Sequence, residues 1–307
     1  MHCELVAPGL FAAPAAERLP SLELLLARGR RASAASQHLE EWLCDAFRQQ
    51  PLAAGALTLL GVNRDPGADR WVRADPVHLR LMRDRLLLMP VKPEEAQTLA
   101  DELNRHFGER LPLQVLDAER WVAKVPDDIE FPTQGPLQLA GREVDVTSGD
   151  AKAHQLLNES QMVLHAQAES DAGEMPVNSL WFWGAGRTPR VEAEHWHSVT
   201  ASEPIALGLA RAAGIRHRPL PASAEAWLDR VPEDGRHLIV LDTLRYGGEP
   251  AALERDWFAP LLAALRTGRI GMVTLHVPDA AEGISFEAIR GDLRRFWRRP
   301  RSLEHYA

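Results

Sequence analysis

Three short apolar runs constrain this chain more than any other feature: 180–183 (LWFW), 237–241 (HLIVL) and 271–275 (GMVTL). None alternates between apolar and polar residues. Helical patterns over 204–213, 224–231 and 251–266 lie between and around them. A strand that is apolar on both sides buries both of its faces, which is the habit of parallel sheets covered by helices. The expected fold class is therefore α/β. All three runs are expected in one central, mostly parallel sheet flanked by helices.

The region before these runs reads differently. Residues 71–74 look like a strand that enters a turn at Asp75-Pro76, where Asp75 would cap local amides. Strands over 79–81 and 85–89 fit a tight hairpin through Met82-Arg83-Asp84. Residues 93–107 form an amphipathic pattern with Pro93 in the first turn and Gly108 after the end. Two more strands are expected over 113–116 and 120–125. Proline and glycine then cluster over 126–141, and 150–168 carries a long helical stripe. The N-terminal part offers a short strand within 4–10, helices near 22–26 and 38–47, and a turn-rich loop over 61–69. These patterns divide the chain into a segment 1–70 that joins the core, a smaller α+β region 71–125 and an α/β core 126–307.

Composition narrows the function classes. The chain has 307 residues, enough for about two domains. Its 43 acidic and 35 basic residues give a net charge of −8, which argues against a non-specific nucleic-acid binder. With only Cys3 and Cys44 there is no disulfide framework and no cysteine-rich zinc module. No apolar run approaches the ~18 residues of a membrane span. The start, Met1-His2-Cys3-Glu4, does not read as a secretory signal, so a cytoplasmic location is expected.

The most informative segment is 178–187, NSLWFWGAGR. An apolar strand ends in Gly184-Ala185-Gly186 and Arg187. Glycines at a strand end let a backbone approach a phosphate, and they equally let a chain turn. Pro189 stands where the third glycine of a dinucleotide fingerprint would fall. His195-Trp196-His197 has a zinc-like spacing but no third ligand nearby, so surface histidines are the simpler reading. Arg73 could pair with a carboxylate or a phosphate. No nucleophile elbow, P-loop or HExxH motif occurs. The run 290–301, RGDLRRFWRRPR, holds six arginines. Ile289, Leu293, Phe296 and Trp297 share a helical stripe, so a helix docked by Phe296 and Trp297 with arginines outside is expected.

NSLWFWGAG followed by EPIALGLARAAGI (203–215) resembles a segment of the cofactor-independent phosphoglycerate mutases. RADPVHL (73–79), LLNESQMVLH (156–165), NSLWFWGAG and the arginine-rich end together resemble a proteobacterial set, the RpfE-type regulatory proteins. The resemblance covers about 71–301 and implies an alkaline-phosphatase-like α/β core. Active members of that superfamily use two divalent metals, a nucleophilic serine or threonine, and carboxylate and histidine ligands. At the matching positions this chain has Val6-Ala7-Pro8-Gly9-Leu10 with no carboxylate, Asp242 with no histidine after it, and His276 with no aspartate before it.

The resemblance thus implies the fold without a two-metal centre and without a cofactor. Its functional implication is a catalytically degenerate protein with a regulatory or phosphometabolite-sensing role. Two alternatives stay open: an active phosphoglycerate mutase or phosphohydrolase with an altered site around Asp242 and His276, and a protein-interaction module using the N-terminal helices or the basic tail. Trp183, Gly184, Gly186, Arg187, Asp242 and His276 are expected to line a remnant pocket at the C-terminal ends of the central strands. The expected partners are a small phosphorylated metabolite and a protein, with neither nucleic acid nor membrane.

Overall fold

The computed structural model describes residues 1–12, 18–34, 37–82, 85–144, 150–168, 175–192, 196–231, 234–278 and 283–306. Its strands, in chain order, are β1 (His2–Val6), β2 (Arg30–Ala34), β3 (Trp71–Met82), β4 (Arg85–Pro90), β5 (Leu113–Val115), β6 (Trp121–Lys124), β7 (Glu143–Val144), β8 (Ser179–Gly186), β9 (Ser198–Ala201), β10 (Arg216–Pro219), β11 (Arg236–Val240), β12 (Met272–Val277) and β13 (Gly283–Ile289). The helices are α1 (Pro20–Arg28), α2 (Leu39–Ala46), α3 (Ala54–Gly61), α4 (Ala96–Phe107), α5 (Pro136–Leu139), α6 (Ala151–Ala168), α7 (Pro204–Ala212), α8 (Ala224–Leu228), α9 (Pro250–Leu253) and α10 (Ala259–Thr267). No helix among the described residues is long and apolar enough to cross a membrane. The chain forms two compact units, one from Met1–Arg48 with Val191–Ala307, the other from Gln49–Arg190.

The first unit is built on a seven-stranded sheet in the order β10-β9-β11-β1-β12-β13-β2. The five strands from β10 to β12 run parallel, and β13 and β2 complete the sheet antiparallel. The apolar runs 237–241 and 271–275 are strands β11 and β12 with β1 between them, as their unbroken hydrophobicity predicts. Partners across parallel strands share a face, so the register sorts the side chains. Cys3, Leu5, Ile239, Val273 and Leu275 point into one core with α1, α8 and α10. His2, Glu4, Arg236, Thr274 and His276 lie on the other face. The expected helix over 251–266 is present, and a π turn at Glu254–Phe258 links α9 to α10. That turn buries Trp257 and Phe258 and sets the Glu254 carboxylate against the backbone N–H groups of Ser21 and Leu22, at the start of α1. A carboxylate there satisfies helix donors that have no intrahelical partner.

The second unit holds a sheet in the order β5-β6-β3-β4-β7, with β8 also paired to β3. Here the expectation for LWFW is corrected. Residues 180–183 are not in the parallel sheet; they lie in β8, antiparallel to β3. The run is apolar on both sides because α3 and α6 both pack on β8. Unbroken hydrophobicity reports burial of two faces, and helices can bury an antiparallel strand just as well. The expected turn at Asp75-Pro76 is also corrected, since β3 runs straight through it. Pro76 has no N–H to donate. It falls between the pairing of β3 with β6 (Trp71–Arg73) and that with β4 (Val77–Met82), opposite Leu180 of β8. The hairpin between β3 and β4 is present with Met82 opposite Arg85; residues 83 and 84 of its connection lie outside the described residues.

Candidate functional site

Glu4 is the least expected residue of the first unit. It sits in the middle of the central strand and is 2% exposed. Its carboxylate accepts from Arg236 through Nε (2.6 Å) and Nη2 (2.9 Å), from Trp196 Nε1 (2.7 Å) and from His276 Nε2 (2.8 Å). Burial pushes the Glu4 carboxyl up, but these hydrogen bonds outweigh it and bring it down to about 2. Because an ionised carboxylate only accepts, the His276 proton is on Nε2. Helix α2 covers this face, with Trp42 against the His276 ring and Phe47 against Trp196. The α2 sequence explains its place: Leu39, Leu43 and Phe47 are spaced along one side, and the Glu41 carboxylate accepts from the His38 N–H at the helix start. A cavity of about 370 Å³ beside the cluster is lined by Glu4, Trp42, Asp45, Arg48, Trp196 and Arg236, among others.

Ligands of open parallel sheets bind beyond the carboxyl ends of the strands. At that edge Asp242 follows β11, is buried, and accepts from the Ser202 hydroxyl (2.6 Å) after β9. Glu203 caps α7 by accepting from the Ile205 N–H (3.1 Å), and the Tyr246 hydroxyl reaches it at 3.5 Å. The Arg245 side chain is buried and donates through Nη2 to Glu40 Oε1 (2.8 Å). Burial works against the Arg245 charge, but the facing Glu40, Tyr246 and Glu203 groups outweigh it and push its pKa up. Arg245 Nη1 and Glu40 Oε2 are buried with no hydrogen-bond partner.

The two-metal centre of active superfamily members does not fit these residues. The Arg245 guanidinium already pairs with Glu40, and the Glu203 charge also favours it. The β1 end, Val6 to Leu10, contributes no carboxylate. Among the described residues no three histidine, cysteine, aspartate or glutamate side chains come together as a metal ion would need.

The other expected site residues lie in the second unit, whereas Asp242 and His276 lie in the first. Trp183 is buried and donates from Nε1 to Asp75 Oδ2 (2.7 Å). Arg73 donates to Asp75 Oδ1 through Nε (2.9 Å) and Nη2 (2.7 Å), reaches Thr58 Oγ1 (3.2 Å) and stacks over the Trp183 ring. Burial pushes the Asp75 carboxyl above its ordinary value, against the pull of Arg73 and Trp183. Of the two partners open to Arg73, the structure supplies the carboxylate.

Gly184 and Gly186 meet α3 at close range: a Cβ would stand 2.4 Å from the Ala54 Cβ at Gly184 and 2.5 Å from the Ala53 Cβ at Gly186. Gly184 is in the left-handed region (φ +61°), and its N–H donates to the Pro132 carbonyl (2.8 Å). The amide expected to face an anion is therefore spent on the fold. Arg187 is held by Asp127 (2.5 and 2.8 Å) and by the Ala68 carbonyl (3.0 Å). Gly184→Ala combines a left-handed alanine with overpacking and is expected to lower stability by about 2–5 kcal/mol. Urea unfolding measures it. A variant as stable as wild type would mean that helix packing is not the reason for the glycine.

Cys3 and Cys44 are free and buried. Burial pushes both thiols up, Cys44 to about 12, so neither is poised as a nucleophile. Of the His195-Trp196-His197 pair, His195 lies outside the described residues, and Trp196 belongs to the Glu4 cluster. The docked C-terminal helix is corrected: only Asp292–Arg294 is helical, as a single 3-10 turn, and Phe296 and Trp297 are 77% and 66% exposed. Glu4, Arg236 and Arg245 were not anticipated from sequence. The available signal was a carboxylate inside the apolar run that opens the chain.

Fold and site together define a two-unit α/β protein with a mostly parallel seven-stranded sheet, a buried carboxylate on its central strand, and a separate antiparallel sheet. No family model matches the chain, and no curated protein sequence matches it. Among solved structures it is similar to the PH0037 protein from Pyrococcus horikoshii, with TM-score 0.55 and 13% identity over 94% of this chain and 87% of that one. That likeness shows a shared fold. The chain is also similar to a cofactor-independent phosphoglycerate mutase from Thermoplasma acidophilum, with TM-score 0.47 and 16% identity over 94% of this chain and 90% of that one.

Proposed function

We propose that this chain is a catalytically degenerate relative of the cofactor-independent phosphoglycerate mutases, and that it senses a small phosphorylated metabolite at the carboxyl edge of its parallel sheet. The sequence resemblance suggests the family. The observation that carries the reading is Arg245, a buried guanidinium paired with Glu40 at the carboxyl edge of the sheet, three residues beyond Asp242. A protein cation in that place can hold an anion but cannot generate a metal-activated nucleophile. The unpartnered N–H of Arg245 Nη1 is the donor available to a phosphate oxygen. Glu40 sits on α2, so an anion competing for Arg245 would act on the helix that covers the polar face of the sheet. This gives a route from occupancy to a change in shape without any turnover.

The test is thermal unfolding in EDTA with 2- and 3-phosphoglycerate, phosphoenolpyruvate and inorganic phosphate, alongside mutase and phosphatase assays with and without manganese. One phosphate ester is expected to stabilise the protein, by about 2.7 kcal/mol at a hundredfold excess over Kd. No turnover is expected. The Glu40→Gln/Arg245→Gln double variant removes both charges together and is expected to lose the response. Arg187→Ala, whose partner is Asp127, is expected to keep it. Manganese-dependent turnover of phosphoglycerate, or a response carried by Arg187, would overturn the proposal.

A further inference from the structure

We propose that the arginine-rich loop 290–301, with Phe296 and Trp297 at its surface, docks a short acidic segment of a partner protein. The loop holds six arginines against one aspartate in a chain whose net charge is −8. It is not a loose tail. Leu293, near its start, packs on the core, and Leu303 and Tyr306 are buried in the same core after it, with Tyr306 edge-on to Phe286. Between these anchors Arg295 and Arg298 donate to the Arg28 and Gly29 carbonyls, each at 3.0 Å, and the backbone turns on itself at Phe296 and Arg298. Phe296 and Trp297 stay outside, ring against ring at 5.3 Å, between Leu293 and the buried Leu303 and Tyr306. Tryptophan and arginine are among the residue types that dominate binding energy at protein interfaces, and an exposed aromatic pair among arginines marks such a surface.

Three features select an acidic peptide. Arg294, Arg298 and Arg299 are exposed beside the aromatic pair, which suits carboxylates interleaved with apolar side chains. A cavity of about 760 Å³ opens next to the loop; Arg30, Arg31, Arg295 and Arg298 outnumber Glu287 and Asp292, the partners of Arg30 and Arg295, in its wall, and it can receive side chains from an extended strand. Strand β2, which carries Arg30 and Arg31, is the edge of the sheet, and no strand pairs with its outer side among the described residues. An extended peptide can add its backbone there. A long polyanion would feel the negative charge of the whole chain, whereas a short segment feels mainly the loop within a screening length.

The probe is a fluorescein-labelled peptide of alternating glutamate and leucine, titrated with the full chain and followed by anisotropy. A lysine–leucine peptide, phosphatidylserine vesicles and oligothymidylate are run in parallel. The glutamate peptide is expected to bind, more weakly as salt rises. Phe296→Ser/Trp297→Ser is expected to weaken it by about thirtyfold or more, and Arg294→Glu/Arg299→Glu to abolish it. Both variants change exposed residues, so unfolding curves that match wild type show that the fold is kept. Absence of glutamate-peptide binding, equal binding of the lysine peptide, binding unchanged in the variants, or preference for vesicles or oligonucleotide overturns the proposal. None of these outcomes depends on the phosphate-ester response.

Discussion

Replacing Asp75 by alanine is expected to lower stability by about 3–5 kcal/mol, among the largest effects available in the second unit. Asp75 and Arg73 are both about 5% exposed, and the carboxylate also receives Trp183 Nε1 at 2.7 Å and the Trp121 N–H at 3.4 Å. Alanine removes the carboxylate partner of Arg73 and leaves a guanidinium buried beside Thr58. An uncompensated buried charge costs far more than the ion pair returns. For the same reason Arg73→Met/Asp75→Leu, which removes both charges, is expected to lie closer to wild type than either single change. Trp183→Phe removes one hydrogen bond to a charged group and is expected to cost about 1.5–3 kcal/mol. Urea unfolding of Asp75→Ala, Trp183→Phe, the double variant and its two single changes gives the ranking. If Asp75→Ala is silent, the pair does not hold this sheet together.

This network also explains why the segment NSLWFWGAG looked like a binding motif. Its tryptophan meets a buried aspartate, and its glycines admit a helix at distances that no Cβ allows. Both are demands of packing, and packing can require glycine and tryptophan as strictly as a ligand can. The helices were legible where an apolar stripe and a stop coincide, as in α4 with Gly108 beyond its end. The parallel strands β11 and β12 were legible from their apolar runs. The sheet to which β8 belongs was not, because a sequence records burial but not the direction of the neighbouring strand. The exposed Phe296 and Trp297 were misread because a helical stripe is only a spacing, and here the chain turns before it can form. Arg245 and Glu40 are 205 positions apart, a pairing no local pattern encodes.

The second large effect belongs to Glu4. Glu4→Gln is expected to lower stability by about 3 kcal/mol at neutral pH, from the distance between the ordinary carboxyl value of 4.5 and the folded value of about 2. The change keeps the shape of the side chain but replaces a fourfold acceptor with an amide that must turn an N–H toward Arg236, Trp196 or His276, all of which donate. The pH dependence follows from the direction of the shift. The unfolded chain takes up the Glu4 proton near pH 4.5, whereas the folded chain resists until about pH 2. The stabilisation is therefore complete above pH 4.5, shrinks as pH falls through that window and is gone below about 2. Urea midpoints of wild type and Glu4→Gln, measured from pH 7 downward, should differ by a constant amount at first and then converge. The difference removes carboxylates common to both proteins, so convergence is attributable to Glu4. A difference that stays flat through the window would show that these donors do not hold the carboxylate ionised. The placement of the His276 proton on Nε2, which follows from an ionised Glu4, would fall with it.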